Sequence, residues 1–111
     1  MFQQILLAWE HDNPPHASLE AARTLADAYR AELTVCCFGE DTVVAQAAAG
    51  ADAYIEALSP EHAAEQLARY AHEHGFDLLV IGRRPGQHLL GRHLLDDVTC
   101  PVLVVTEDAQ R

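Results

Sequence analysis

The chain has no lysine, and its positive charge rests on seven arginines against seventeen acids, a net charge of −10. So little positive charge argues against broad affinity for nucleic acid or an anionic membrane, because phosphate-rich surfaces need spread-out cations. Without lysine there is no GxxxxGK[ST] phosphate loop. A phosphoacceptor receiver domain, which needs a lysine near its last strand, is excluded as well. Cysteine is scarce: Cys36, Cys37 and Cys100, with no CxxC, are not a disulfide framework and fit a reducing compartment. Serine occurs only at Ser18 and Ser59, so there is no GxSxG nucleophile elbow. No apolar run approaches the ~20 residues of a membrane span. The opening MFQQILLAWEHD has neither a basic region nor a cleavage site, so a cytoplasmic location is expected.

What remains is an ordinary globular composition. Of 111 residues, 50% are hydrophobic and 22% charged, enough for one domain, 1–111, with a real core. Four stretches read as strands: Gln4 to Trp9, Glu32 to Phe38, Leu78 to Ile81 and Val102 to Thr106. The first, third and fourth are near-continuous apolar runs, the pattern of strands buried on both faces of a parallel sheet. Ala53 to Ala57 alternates, which suits an edge strand. Cys36 and Cys37 lie in a presumed central strand and are expected to pack as small hydrophobes. Cys100, before Pro101, is also expected to pack.

Helices are expected between the strands. Asn13-Pro14-Pro15 is a start signal, with Leu19, Ala22, Ala26 and Tyr29 following at helical spacing. Ser59-Pro60-Glu61 opens a second helix with Ala64, Leu67, Ala71 and His74 on one face, and Gly75 ends it. Thr42 to Ala49 and His88 to Val98 are expected to be short helices. The alternation gives an α/β fold: an open parallel sheet with helices on both faces. Residues after Thr106 (EDAQR) read as a frayed tail.

In such a sheet the ligand sits beyond the carboxyl ends of the strands, where the strand order reverses. Two loops compete for that place. One is Glu10-His11-Asp12-Asn13. The other begins GRRPGQHLLGR, from Gly82 to Arg92. No acid lies between Leu78 and Leu95, while Arg83, Arg84, His88, Arg92 and His93 do. Glycines admit close backbone approach, and arginine forks match phosphate oxygens. A local anion site is one reading. The other is a solvated turn whose arginines pair with Asp96, Asp97 or Glu10. His11, Asp12 and His16 could ligate a metal, but two prolines interrupt them and a solvated loop is the simpler reading, so no metal is expected. No GxGxxG follows the first strand.

ILLAWEHD, AELTV, FDLLVIGRRPG and CPVLVV, in that order, together resemble the universal stress protein family (UspA-like domains) over nearly the whole chain. The resemblance implies an open five-stranded parallel sheet of order 3-2-1-4-5, the adenine nucleotide alpha hydrolase-like fold. Many members are dimers joined through the last strand, which would put Val102, Val104 and Thr106 at a homodimer interface. One branch binds ATP through an Asp at the end of strand 1 and the pattern G-x2-G-x9-G-[ST] after strand 4. Here Glu10 takes the Asp position and Gly82 matches the first glycine. Gly86 falls one residue late, and Gly91-Arg92 stands where Gly-[ST] would come later.

The resemblance implies a stress-response protein that acts by binding rather than catalysis. The ligand would be an adenine nucleotide (ATP, ADP or AMP) or another phosphate anion. Glu10, His11 and Asp12 would flank it, the backbone at Val35 to Cys37 would edge the base, and Gly82, Arg83, Arg84, Gly86, Gly91 and Arg92 would hold phosphate. The alternative is a ligand-free regulatory module acting through a protein partner. Hydrolysis at Glu10, His11 and Asp12 would require a metal and a poised base, and nothing in the sequence marks one.

Overall fold

The computed structural model describes residues 2–9, 16–38, 54–58, 63–83 and 98–107. Its elements are β1 (Gln4–Trp9), α1 (Ala17–Tyr29), β2 (Glu32–Phe38), β3 (Tyr54–Leu58), α2 (Ala63–Glu73), β4 (Leu78–Arg83) and β5 (Val102–Thr106). The expected helices at 42–49 and 88–98 fall outside the described residues, apart from Val98 at the end of the second, which is not helical. The third strand lies one residue later than its alternation suggested, and the fourth runs two residues further, through Gly82 and Arg83.

All the strand pairings are parallel. β1 is central, with Ile5 opposite both Leu33 of β2 and Leu78 of β4. β5 lies outside β4, and β3 pairs along the outer side of β2, so the strands run β3-β2-β1-β4-β5. β2 and β3 lie to one side of β1 and β4 and β5 to the other, so the order reverses between β1 and β4.

Side chains on successive strand residues point to opposite faces, and each face carries its own core. Ile5, Leu7, Leu33, Val35, Cys37, Leu78 and Val80 pack with Ala22 and Ala26 of α1. Leu6, Ala8, Cys36, Leu79 and Ile81 pack with Leu67, Ala68 and Ala71 of α2 and with Phe76. Burial on both faces is the reason β1 and β4 read as unbroken apolar runs. β5, expected to be buried in the same way, is instead an edge strand with β4 on one side only, and its residues are half-buried or exposed. Cys36 and Cys37 are fully buried, one in each core, and Cys100 packs at the edge of the second. Among the described residues no helix is long and apolar enough to cross a membrane.

The helix faces correct two sequence expectations. Tyr29 is 42% exposed, because α1 has reached the rim of the sheet by its last turn; its ring instead packs edge-on against Phe2 at 5.3 Å. His74 lies one residue past α2 and is exposed, its Nδ1 3.1 Å from the Tyr70 carbonyl and its ring stacked on Tyr70. Gly75 ends α2 with φ of +67°, a conformation that suits glycine.

At the end of α1 the same left-handed turn is made by Arg30, with φ 55° and ψ 41°. The following Ala31 N–H donates to the Ala26 carbonyl at 2.8 Å, closing the helix end. A side chain in this region costs energy that glycine avoids. Arg30→Gly should therefore stabilise the fold by about 0.5–1 kcal/mol, seen as a rise of a few degrees in thermal unfolding.

Candidate functional site

The carboxyl ends of β1 and β4 meet at the reversal of strand order, the place where open parallel sheets bind ligands. Trp9 ends β1 in register with Cys37, and Gly82 and Arg83 end β4 in register with Val105 and Thr106 of β5. The helix α1, which follows β1, packs back over β1, β2, β4 and β5, so its N-terminus faces the same edge.

That N-terminus has no side-chain cap of its own, since His16 makes no capping hydrogen bond. Its free N–H groups are satisfied from the far end of the sequence. The His16 and Ala17 N–H groups donate to Oε1 of Glu107 at 3.0 and 2.8 Å. The Ser18 N–H and hydroxyl donate to Oε2 at 2.9 and 2.6 Å. Both oxygens are thus held by charge-assisted bonds at the positive end of the helix dipole. Glu107 is only 1% exposed and Ser18 is fully buried. Burial by itself would raise the carboxyl pKa; the Ser18 hydroxyl and the N–H groups of Ser18, Ala17 and His16 outweigh it and hold the group below the ordinary glutamate range.

Gly82 completes this corner. A Cβ there would stand 2.7 Å from Oε2 of Glu107 and 3.0 Å from the Ser18 hydroxyl oxygen. The glycine therefore makes room for the carboxylate, a use distinct from the phosphate contact expected of it. The carboxylate also corrects the reading of EDAQR as a frayed tail from its first residue. Glu107 is anchored by four donors: the His16 N–H just ahead of α1, and the Ala17 N–H, Ser18 N–H and Ser18 hydroxyl in its first turn. Ser18 stands in the first turn of α1 as a donor to Glu107 and not as the cap. The sequence signal was the weak cap: His16 stands where serine, threonine, aspartate or asparagine usually caps a helix.

Val35 is a core residue, fully buried, in register with Leu7 on one side and Ile55 on the other. Arg83 closes β4. Glu10, His11, Asp12, Arg84, Gly86, Gly91 and Arg92 lie outside the described residues. Among the described residues no three His, Cys, Asp or Glu side chains gather where they could hold a metal. A shallow groove lined by Glu65, Ala68, Arg69, His72 and Thr99 lies elsewhere, beside the entry to β5.

A second carboxylate works at the opposite edge of the sheet. Asp77, just before β4, accepts from the N–H groups of Gln3 at 2.6 Å and Gln4 at 3.0 Å. Those two backbone bonds lower its pKa. Neither acid was singled out by spacing or motif.

The arrangement of sheet and helices matches solved structures over almost the whole chain. A universal stress protein family member from Burkholderia pseudomallei is 22% identical, with 94% of this chain and 96% of that one covered and a TM-score of 0.66. A universal stress protein solved in complex with cAMP is 19% identical, covering 96% and 98%, with a TM-score of 0.69. One from Archaeoglobus fulgidus is 16% identical, covering 95% and 94%, with a TM-score of 0.74. The fold is that of a UspA-like universal stress protein domain. No protein-family model matches the sequence, and no curated protein does either. The likeness to universal stress proteins thus lives in the backbone arrangement far more than in residue identity.

The lowered pKa of Glu107 sets a pH dependence. A depressed carboxyl contributes stability that is fully present above the unfolded glutamate value of about 4.3 and is lost as pH falls through the folded value. Removing the charge should therefore matter most near neutral pH. Glu107→Gln is expected to lose about 2 kcal/mol at pH 7, with the gap to the parent closing below about pH 4. Urea unfolding of both proteins between pH 3 and 7 measures this.

Proposed function

We propose that the protein is a universal stress protein-like binding protein that takes an adenine nucleotide or a related phosphate anion in the crevice between the loops after β1 and β4. The observation that carries the reading is Gly82-Arg83 at the end of β4, next to β1, where the strand order reverses. The match to a universal stress protein solved with cAMP supports it. Arg83, Arg84 and Arg92 would meet the phosphate, with Gly86 and Gly91 giving the loop its close approach. Glu10, His11 and Asp12 would border the base and sugar from the β1 side, and the backbone from Val35 to Cys37 would edge the base.

The role is regulatory binding in the cytoplasm, with no catalytic step. Calorimetric titration with AMP, ADP, ATP and cyclic AMP should give saturable binding, and Arg83→Ala combined with Arg84→Ala should weaken it at least about tenfold. Absence of saturable binding at millimolar ligand would remove the nucleotide and leave a module that acts through protein contacts.

A homodimer through β5 belongs to the same proposal. β5 is an edge strand, and Val104 is 40% exposed on it, one of two large hydrophobics so exposed among the described residues. An open apolar edge invites pairing with another strand. Val104→Arg should convert a dimer to a monomer in sedimentation analysis, without loss of the helical circular dichroism signal.

A further inference from the structure

Two positions at the β1/β4 crevice suit negative charge. One is the N-terminus of α1, with its free N–H groups and positive dipole end. The other is the end of β4, where Gly82 is followed in sequence by two arginines. The first is filled by the chain itself. Glu107 engages the N–H groups of His16, Ala17 and Ser18 and the Ser18 hydroxyl with both of its oxygens. It is buried to 1% exposure and stands against Gly82, where even a methyl group would collide with it. The hydrogens that could have reached a ligand oxygen are committed to this carboxylate.

Resting on the binding reading above, we infer that Glu107 is a specificity-determining residue, a resident anion that takes the helix-terminal place and limits the ligand to nucleotides carrying a single phosphate group. The phosphate charge of any ligand must then be met on the β4 side alone. A single phosphate group can be met there. A triphosphate brings several more negative charges toward a fixed, poorly solvated carboxylate, and the repulsion grows in proportion to that charge. Screening by salt is weak for a group so deeply buried. The role differs from capping alone: a merely structural Glu107 would affect every ligand alike, whereas a resident anion acts according to ligand charge.

The test is calorimetric titration of the parent protein and Glu107→Gln with adenosine, AMP, cyclic AMP and ATP, in chelator and without divalent metal. The parent should bind AMP or cyclic AMP at least about tenfold more tightly than ATP, and Glu107→Gln should narrow that gap by about tenfold through tighter ATP binding. Adenosine reports any change that does not depend on charge. Equal shifts for all four ligands, or ATP bound by the parent as tightly as AMP, would overturn the inference while leaving the nucleotide reading intact. Should Glu107→Gln fail to fold, the order of affinities in the parent decides the matter alone. No saturable binding of any ligand to the parent would overturn both.

Discussion

The carboxylate of Glu107 on the N-terminus of α1 is the contact on which the carboxyl edge of this sheet depends. It joins the residue after the last strand to the helix after the first, across 89 to 91 positions of sequence. In doing so it satisfies donors that the N-cap residue His16 leaves without a side-chain bond, and it holds β5, β4 and α1 against one another at a single point. Gly82 follows from it, since the carboxylate occupies the space a side chain would need. The sheet's other edge is pinned in the same manner, with Asp77 accepting from the start of β1. One acid at each edge, each bound to backbone N–H groups, fixes the central strand and the helix that follows it.

This arrangement gives the fold and the site different physical origins. The fold rests on apolar burial: two cores, one on each face, formed by alternate residues of the same strands. Such burial tolerates exchange among hydrophobic residues of similar size. That is consistent with a backbone likeness at 16 to 22% identity. The corner at Glu107 rests instead on placed polar atoms, where one methyl group or one charge alters the outcome.

The same division explains what could be read from the sequence. The parallel α/β sheet was legible because burial on both faces leaves unbroken apolar runs such as ILLA and LLVI, and because Gly75 marks the end of α2. Gly82 was legible as a special position, but its reason was not, since nothing local to DLLVIG announces a carboxylate from residue 107. Glu107 itself sits among tail-like residues, and its burial comes from α1, β4 and β5 meeting around it. Tyr29 and His74 misled for a related reason: helical spacing gives the direction of a side chain but not where the sheet beneath it stops.

The span of the Glu107 contact also orders events during synthesis. Chains emerge from the ribosome N-terminal end first, and contacts distant in sequence close late. β1, α1 and β2 can associate while the rest is still being made. The N-terminus of α1 lacks its Glu107 partner until residue 107 has been added and has docked. A nascent chain stopped short of that residue carries most of the core without the carboxylate that completes this corner.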